Sequence, residues 1–281
     1  MSTMVPPLFA GIVDDASLLP PGIITVSAAT TAFREHQQAW YAGLLNTFLV
    51  PSSLLDFACD PPGLPVGVIN DMPIGGLPAA VAKLRHSGAR VCQVEAAVAR
   101  RGEDPQPGLA DLRRFALNDK DLDVYAEIPL SWGLLAALDA VAAARADGFR
   151  LAPKFRVGGL AAELFPTPVE LAAVICACRD RDLPFKLAPG IRHALRHTDP
   201  ETGFTHHGFL NVLVASLLAD DGNEVAEVAE ALAATHPVPL VEPARARRDQ
   251  ARPLWVGYGA VAVLDPLTEL IRLGLVSAGY E

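Results

Sequence analysis

Pro153-Lys154-Phe155-Arg156-Val157-Gly158-Gly159 and Phe185-Lys186-Leu187-Ala188-Pro189-Gly190-Ile191-Arg192 are the two stretches on which the reading of this chain turns. Each lysine follows a short segment that reads as a strand, and glycine follows each closely. The stretch 165–181 between them reads as a helix. Desolvating a lysine ammonium costs several kcal/mol or drives its pKa down, so a lysine inside a buried strand needs a reason. On successive strands of a barrel the two would face one another, each cation making the other easier to deprotonate. A neutral amine attacks carbonyls, so the pattern predicts Schiff-base chemistry.

Outward from these segments the same alternation continues. Strand-like runs centre near positions 10, 49, 68, 93, 126, 153, 186 and 256, which makes eight. Helical stretches are expected at 30–45, 77–86, 109–117, 133–146, 209–218, 224–234 and 266–273. Ser87-Gly88 and Asp147-Gly148 end two of them in the way helices stop. Eight strands mostly separated by helices predict a (β/α)8 TIM barrel, an α/β fold occupying 1–281 as one domain. The long interval before the last strand predicts an extra element between 219 and 252, with 237–252 an irregular Pro/Arg-rich connection. An open doubly wound sheet is the alternative, and the chain lacks the Gly-x-Gly-x-x-Gly turn that would favour it.

Composition narrows the function. At 51% hydrophobic residues the 281-residue chain supports a large core. Its formal net charge of −9, from 32 acidic against 23 basic residues, argues against a nucleic-acid surface. No run of about 20 uncharged apolar residues suggests a membrane span, and no basic leader is visible, so a cytoplasmic protein is expected. Cys59, Cys92, Cys176 and Cys178 lack zinc-ribbon spacing and read as free thiols of a reducing compartment.

Side chains two apart on a strand share a face, so Lys154 goes with Arg156, Gln93 with Glu95, and Tyr125 with Glu127. These polar residues can converge at the carboxyl ends of the strands, where barrel active sites gather. A purely structural lysine paired with Glu95 or Glu127 is the plainer reading of Lys154. His193, His197, His206 and His207 form a second concentration after the Lys186 strand. His193 and His197 would share a face if that stretch were helical, a spacing that suits a divalent metal. No glutamate stands between them, and the flanking Arg192 and Arg196 disfavour a cation. Loop hydrogen bonding, metal binding and substrate contact all stay open.

Lys154-Phe155-Arg156-Val157-Gly158 and Lys186-Leu187-Ala188-Pro189-Gly190-Ile191 resemble two segments of the deoxyribose-phosphate aldolase family of class I aldolases, at a similar interval of 32 residues. Shorter likenesses precede them in order: 15–20, Val50-Pro51-Ser52, Met72-Pro73-Ile74-Gly75 and 124–128. The resemblance implies a barrel in which Lys154 forms the Schiff base and Lys186 is its pKa-lowering neighbour. The family's proton-shuttling Asp falls by position on Gln93, with Glu95 on the same face. Its phosphate-holding serine and glycine fall on Ala188 and Pro189, and proline has no amide hydrogen to give. Gly257 and Gly259 keep the glycines of the last strand without a serine, and a helix N-terminus there could hold an anion.

The sequence thus predicts a Schiff-base-forming, aldolase-like lyase that needs no cofactor and acts on a small, anionic, non-phosphorylated carbonyl compound. Lys154, Lys186, Glu95 and Glu127 are the expected catalytic residues. Arg156, Gly158, Gly159, Gly190, Arg192, His193, Gly257 and Gly259 are the expected substrate contacts. A metal-assisted lyase or hydrolase using the histidine cluster, and a non-catalytic binding barrel, are the alternatives. Partners other than a small molecule are not expected, apart from a homo-oligomer.

Overall fold

The apolar runs resolve into eight parallel strands that close on themselves in the order β1-β10-β7-β6-β5-β4-β3-β2. The structure is a computed structural model and describes residues 5–20, 24–55 and 63–277; Cys59 lies outside them. The barrel strands are β1 (Val13–Asp15), β2 (Leu45–Pro51), β3 (Pro65–Asn70), β4 (Arg90–Ala97), β5 (Asp123–Glu127), β6 (Leu151–Phe155), β7 (Phe185–Leu187) and β10 (Trp255–Ala260). This is the (β/α)8 TIM barrel that the alternation predicts. Its helices are α1 (Val26–Gln38), α2 (Leu77–His86), α3 (Gln106–Leu117), α4 (Leu134–Ala146), α5 (Pro168–Arg179), α6 (Phe209–Asp220), α7 (Val225–Ala233), α8 (Val238–Ala246) and α9 (Leu264–Arg272). Among the described residues β2 and β3 are joined without an α-helix. No helix among the described residues is long and apolar enough to cross a membrane.

Local chemistry explains several boundaries. Thr167 opens α5 with a reciprocal capping box: its side chain accepts from the Glu170 amide while Glu170 accepts from the Thr167 amide, and Pro168 fills the first turn. Helix α6 is buried nearly all round, from Phe209 to Ala219, because α5, α7 and α8 all pack on it. That explains its almost unbroken apolar sequence.

Two local expectations are corrected, and one left conditional is settled. The apolar run before Val13 is a 3-10 turn, Pro7–Phe9, and the first strand instead includes Asp14 and Asp15, both buried. The stretch expected to be irregular contains α8. Pro239 sits in its first turn, where a missing amide hydrogen costs nothing, and buried Leu240, Val241 and Ala244 give it a core-facing side despite Pro243 inside. The stretch after β7 is not helical: β8 (His197–Thr198) and β9 (Thr205–His206) pair as a small antiparallel ribbon.

At the carboxyl end of the barrel the segments after β6 and β7 cross in contact. A Cβ on Gly158 would lie 2.5 Å from the Gly190 Cα, and one on Gly190 would lie 2.5 Å from the Val157 carbonyl oxygen. Gly190 also has φ of +124°, a conformation side chains rarely adopt. Both positions require glycine for backbone approach. Gly158→Ala is expected to lower stability by about 1–3 kcal/mol, the usual cost of overpacking. An unchanged urea midpoint would show that the crossing can open freely.

Candidate active site

The strand register places the two lysines directly side by side. Lys154 on β6 is the Cα partner of Lys186 on β7, and on its other flank of Glu127 on β5. Period-two alternation sends Gln93, Glu95, Tyr125 and Glu127 inward as expected. Gln93, Glu95, Lys154 and Lys186 are all buried, and Lys186 is completely so.

One carboxylate bridges the pair. Lys154 Nζ lies 2.7 Å from Glu95 Oε2 and 2.9 Å from Glu127 Oε2. Among the described residues Glu95 Oε2 has no other polar partner than this ammonium. Lys186 donates to Glu95 Oε1 and forms an ion pair with Asp14 Oδ2. The Lys186 ammonium also stands 4.9 Å from the centroid of the Tyr125 ring, within cation–π range. Gln93 donates to Glu95 Oε1 at 3.2 Å. Asp14 Oδ1 accepts from Thr47 Oγ1 at 2.6 Å, Asn46 Nδ2 at 2.9 Å and the Thr47 amide at 3.0 Å. Arg156 caps the network at the mouth, donating to Glu127 Oε1 from Nη2 at 2.9 Å and from Nε at 3.2 Å.

Three carboxylates, Asp14, Glu95 and Glu127, therefore face three cations, Lys154, Lys186 and Arg156. This reverses the expected direction of the lysine pKa shifts. Burial pulls both ammonium groups toward neutrality, but Glu95 and Glu127 outweigh it at Lys154, and Asp14 and Glu95 outweigh it at Lys186, so both end above the ordinary lysine value. Mutual repulsion of the lysines is overridden because an anion stands between them. The plainer pairing of Lys154 with Glu95 and Glu127 is thus present.

Burial raises the carboxyls of Glu95 and Glu127, and the neighbouring cations overcome it, holding Glu127 below the usual range and Glu95 at about 2. A carboxyl whose folded pKa is depressed stabilises the fold above its unfolded value, and that stability is lost as pH falls through the folded value. Lowering pH from about 4.5 to about 2 should therefore remove roughly 3 kcal/mol through Glu95. Glu95→Gln should flatten that part of the acid-unfolding curve; an unchanged slope would mean that Glu95 does not carry the charge.

The remaining expected contacts divide. Gly158 and Gly190 lie at the mouth beside the lysine strands, and Gly159 packs on Leu164. Gly257 and Gly259 lie within β10, in register with Lys186 and Asp14. Arg192 is exposed and takes no part in the network. His193 is half exposed, its Nδ1 2.8 Å from Glu269 on α9.

The histidines stack rather than converge. His197 lies edge-on to His193 at 4.4 Å and parallel to His206 at 5.2 Å, between ring centroids. His206 Nδ1 is 2.8 Å from the Gly190 carbonyl oxygen. His207 donates from Nε2 to the Pro166 carbonyl at 2.8 Å, and burial holds it neutral, with a pKa of about 4. The shared face imagined for His193 and His197 depended on a helix that does not form. Among the described residues no group of three or more His, Cys, Asp or Glu could hold a metal ion. Cys176 and Cys178 are buried free thiols, and Cys92 is partly buried.

Asp14, Asn46 and Thr47 belong to the site and were not foreseen. The available signal was Asp14-Asp15 closing the first apolar run, an acidic pair at the end of a strand-like segment. It reads as the start of a loop unless the strand is shifted by two residues. No protein-family model matches the chain, and no curated protein matches it.

Proposed function

We propose that the chain is a Schiff-base-forming lyase of the class I aldolase type, acting at the carboxyl end of its barrel on a small anionic carbonyl compound. The observation that carries this reading is the pair of lysines on adjacent strands bridged by the Glu95 carboxylate. Lys154 is the nucleophile. It is the less buried of the two and shares Glu127 with the mouth residue Arg156, whereas Lys186 is sealed between Asp14 and Glu95.

Raised lysine pKa values fit this chemistry once charge is followed through the step. Glu127, 2.9 Å away, takes a proton from the ammonium. The freed amine attacks the carbonyl carbon to give a carbinolamine. The proton returns to the new hydroxyl, which leaves as water, and the product is an iminium. Ammonium and iminium carry the same charge, so the carboxylates that favour the first also stabilise the second. The role of Lys186 in this scheme is to fix Glu95 beneath the reacting nitrogen.

Arg156, whose Nε and Nη2 already hold Glu127, offers the Nη1 side of its planar guanidinium to a substrate carboxylate. The amides of Gly158 and Gly159, in the segment after β6, donate no hydrogen bond among the described residues. The Ala188 amide is already spent on the Phe155 carbonyl, 3.1 Å away, and Pro189 has none, so the rim after β7 is poor in donors for a phosphate. A non-phosphorylated oxo acid or aldehyde acid is the favoured substrate class. The competing reading is a barrel in which the lysines only neutralise carboxylates, favoured by the complete pairing of Lys186. Borohydride reduction in the presence of small oxo acids and aldehydes separates the two. A stable adduct on Lys154 is expected, and its absence across the panel would leave the charge-neutralising reading.

A further inference from the structure

The polar network also has an opposite end. At the amino ends of the strands a cavity of about 330 Å³ is lined by Asn46, Asp123, Tyr125, Arg252 and Val256 among others. A recess of about 220 Å³ shares Asp123, Tyr125 and Val256 with it and adds Arg145 and Arg150. Arg252 thus borders the first space and Arg145 and Arg150 the adjoining one, while the one carboxylate lining both, Asp123, pairs with Arg150 at 2.7 Å.

Arg252 and Arg145 form no ion pair among the described residues. Arg252 donates only to backbone carbonyls, at 2.6 Å to Val256, 2.7 Å to Trp255, 2.8 Å to Leu8 and 3.1 Å to Ala10. Arg145 donates to the Leu151 carbonyl at 3.1 Å. Burial lowers the Arg252 pKa to about 10. Largely buried cations are ordinarily paired, yet Arg252 and the partly buried Arg145 border two adjoining spaces whose one carboxylate, Asp123, is taken by Arg150. Tyr125, Pro184, Leu254 and Val256 supply an apolar wall beside them.

We propose that this amino-end cavity binds a small organic carboxylate with an apolar body. The carboxylate sits among the arginines, and the body lies against Tyr125, Pro184 and Val256. A cavity of about 150 Å³ accommodates benzene, so a body of roughly ten heavy atoms fits here. The site is distinct from the carboxyl-end mouth, yet it shares two residues with the lysine network. Asn46 donates to Asp14, the partner of Lys186, and the Tyr125 ring faces Lys186 itself. An occupant would be separated from Lys186 by the Tyr125 ring, and its binding does not depend on imine chemistry.

Benzoate is the probe, titrated calorimetrically into the full chain. Saturable binding at one site per chain is expected, with benzamide, its neutral counterpart, at least tenfold weaker. Inorganic phosphate, which has charge but no body, should also bind more weakly. Arg145→Gln combined with Arg150→Gln should weaken benzoate tenfold or more, while Arg156→Gln at the mouth leaves it unchanged. Should the double variant fail to fold, Val256→Phe fills the same space and should abolish binding. No saturable binding at millimolar benzoate overturns the proposal. So does binding that is lost in Arg156→Gln but kept in Val256→Phe, or phosphate binding more tightly than benzoate.

Discussion

Lys186→Met is expected to lower the unfolding free energy by about 3–5 kcal/mol at pH 7, the usual cost of leaving a buried charge without its partner. Methionine nearly matches the lysine in volume, so the loss is electrostatic rather than a cavity effect. Lys186 is completely buried, and its ammonium serves both Asp14 Oδ2 and Glu95 Oε1. Without it Asp14 keeps its donors on Oδ1 only, from Asn46 and Thr47, and Glu95 Oε1 keeps only Gln93. The pH dependence has a definite sign. Removing the cation raises the pKa of Glu95, so it protonates more readily and the destabilisation shrinks as pH falls below neutrality. Lys186→Met with Asp14→Asn should recover part of the loss at pH 7. Urea unfolding at pH 7 and pH 5 checks both statements. A loss below about 1 kcal/mol at pH 7 would place it among ordinary exposed-pair effects and sink the account of the network.

The barrel was legible because its signal is local and repeated. Each strand–helix unit announces itself by a change of hydrophobic period, and helices such as 77–86 end where Ser87-Gly88 says they should. The side-by-side lysines were legible for the same reason, since the interval between them holds one helix. The sign of their pKa shifts was not. It depends on Glu95, 91 residues from Lys186 in sequence, and on Asp14 on the first strand. Strand alternation offers Glu95 and Glu127 as partners of Lys154, but nothing near either lysine reveals that Glu95 and Asp14 will also hold Lys186. The conditional shared face of His193 and His197 is absent for a related reason. Spacing of four implies a shared face only on a helix, and the ribbon pairing His197 with His206 replaces that geometry. Helix α8 was hidden because prolines at 237, 239 and 243 read as breakers, whereas two of them fall at or near a helix start.

Lys154→Arg is expected to abolish borohydride trapping at every pH, the largest effect on chemistry that the geometry implies. Guanidinium keeps a positive charge for Glu95 and Glu127 but does not yield the free amine that attack requires, so the fold survives and the nucleophile is gone. Lys186→Met should act differently, when compared under conditions where it remains folded. Removing the neighbouring cation and releasing Glu95 from it both favour the Lys154 ammonium, so its pKa rises further. Each unit corresponds to about 1.4 kcal/mol, or tenfold in the fraction of free amine. Trapping should thus fall at least about tenfold near neutral pH and recover in part at higher pH. Peptide mapping of the reduced adduct reads the site directly. An adduct on Lys186, with Lys154→Arg unimpaired, would exchange the two roles. That outcome would require substrate to reach a nitrogen sealed beneath Tyr125, Asp14 and Glu95, which the closed packing around Lys186 opposes. Trapping confined to Lys154 would instead match the one ammonium that the mouth can reach, through the carboxylate it shares with Arg156.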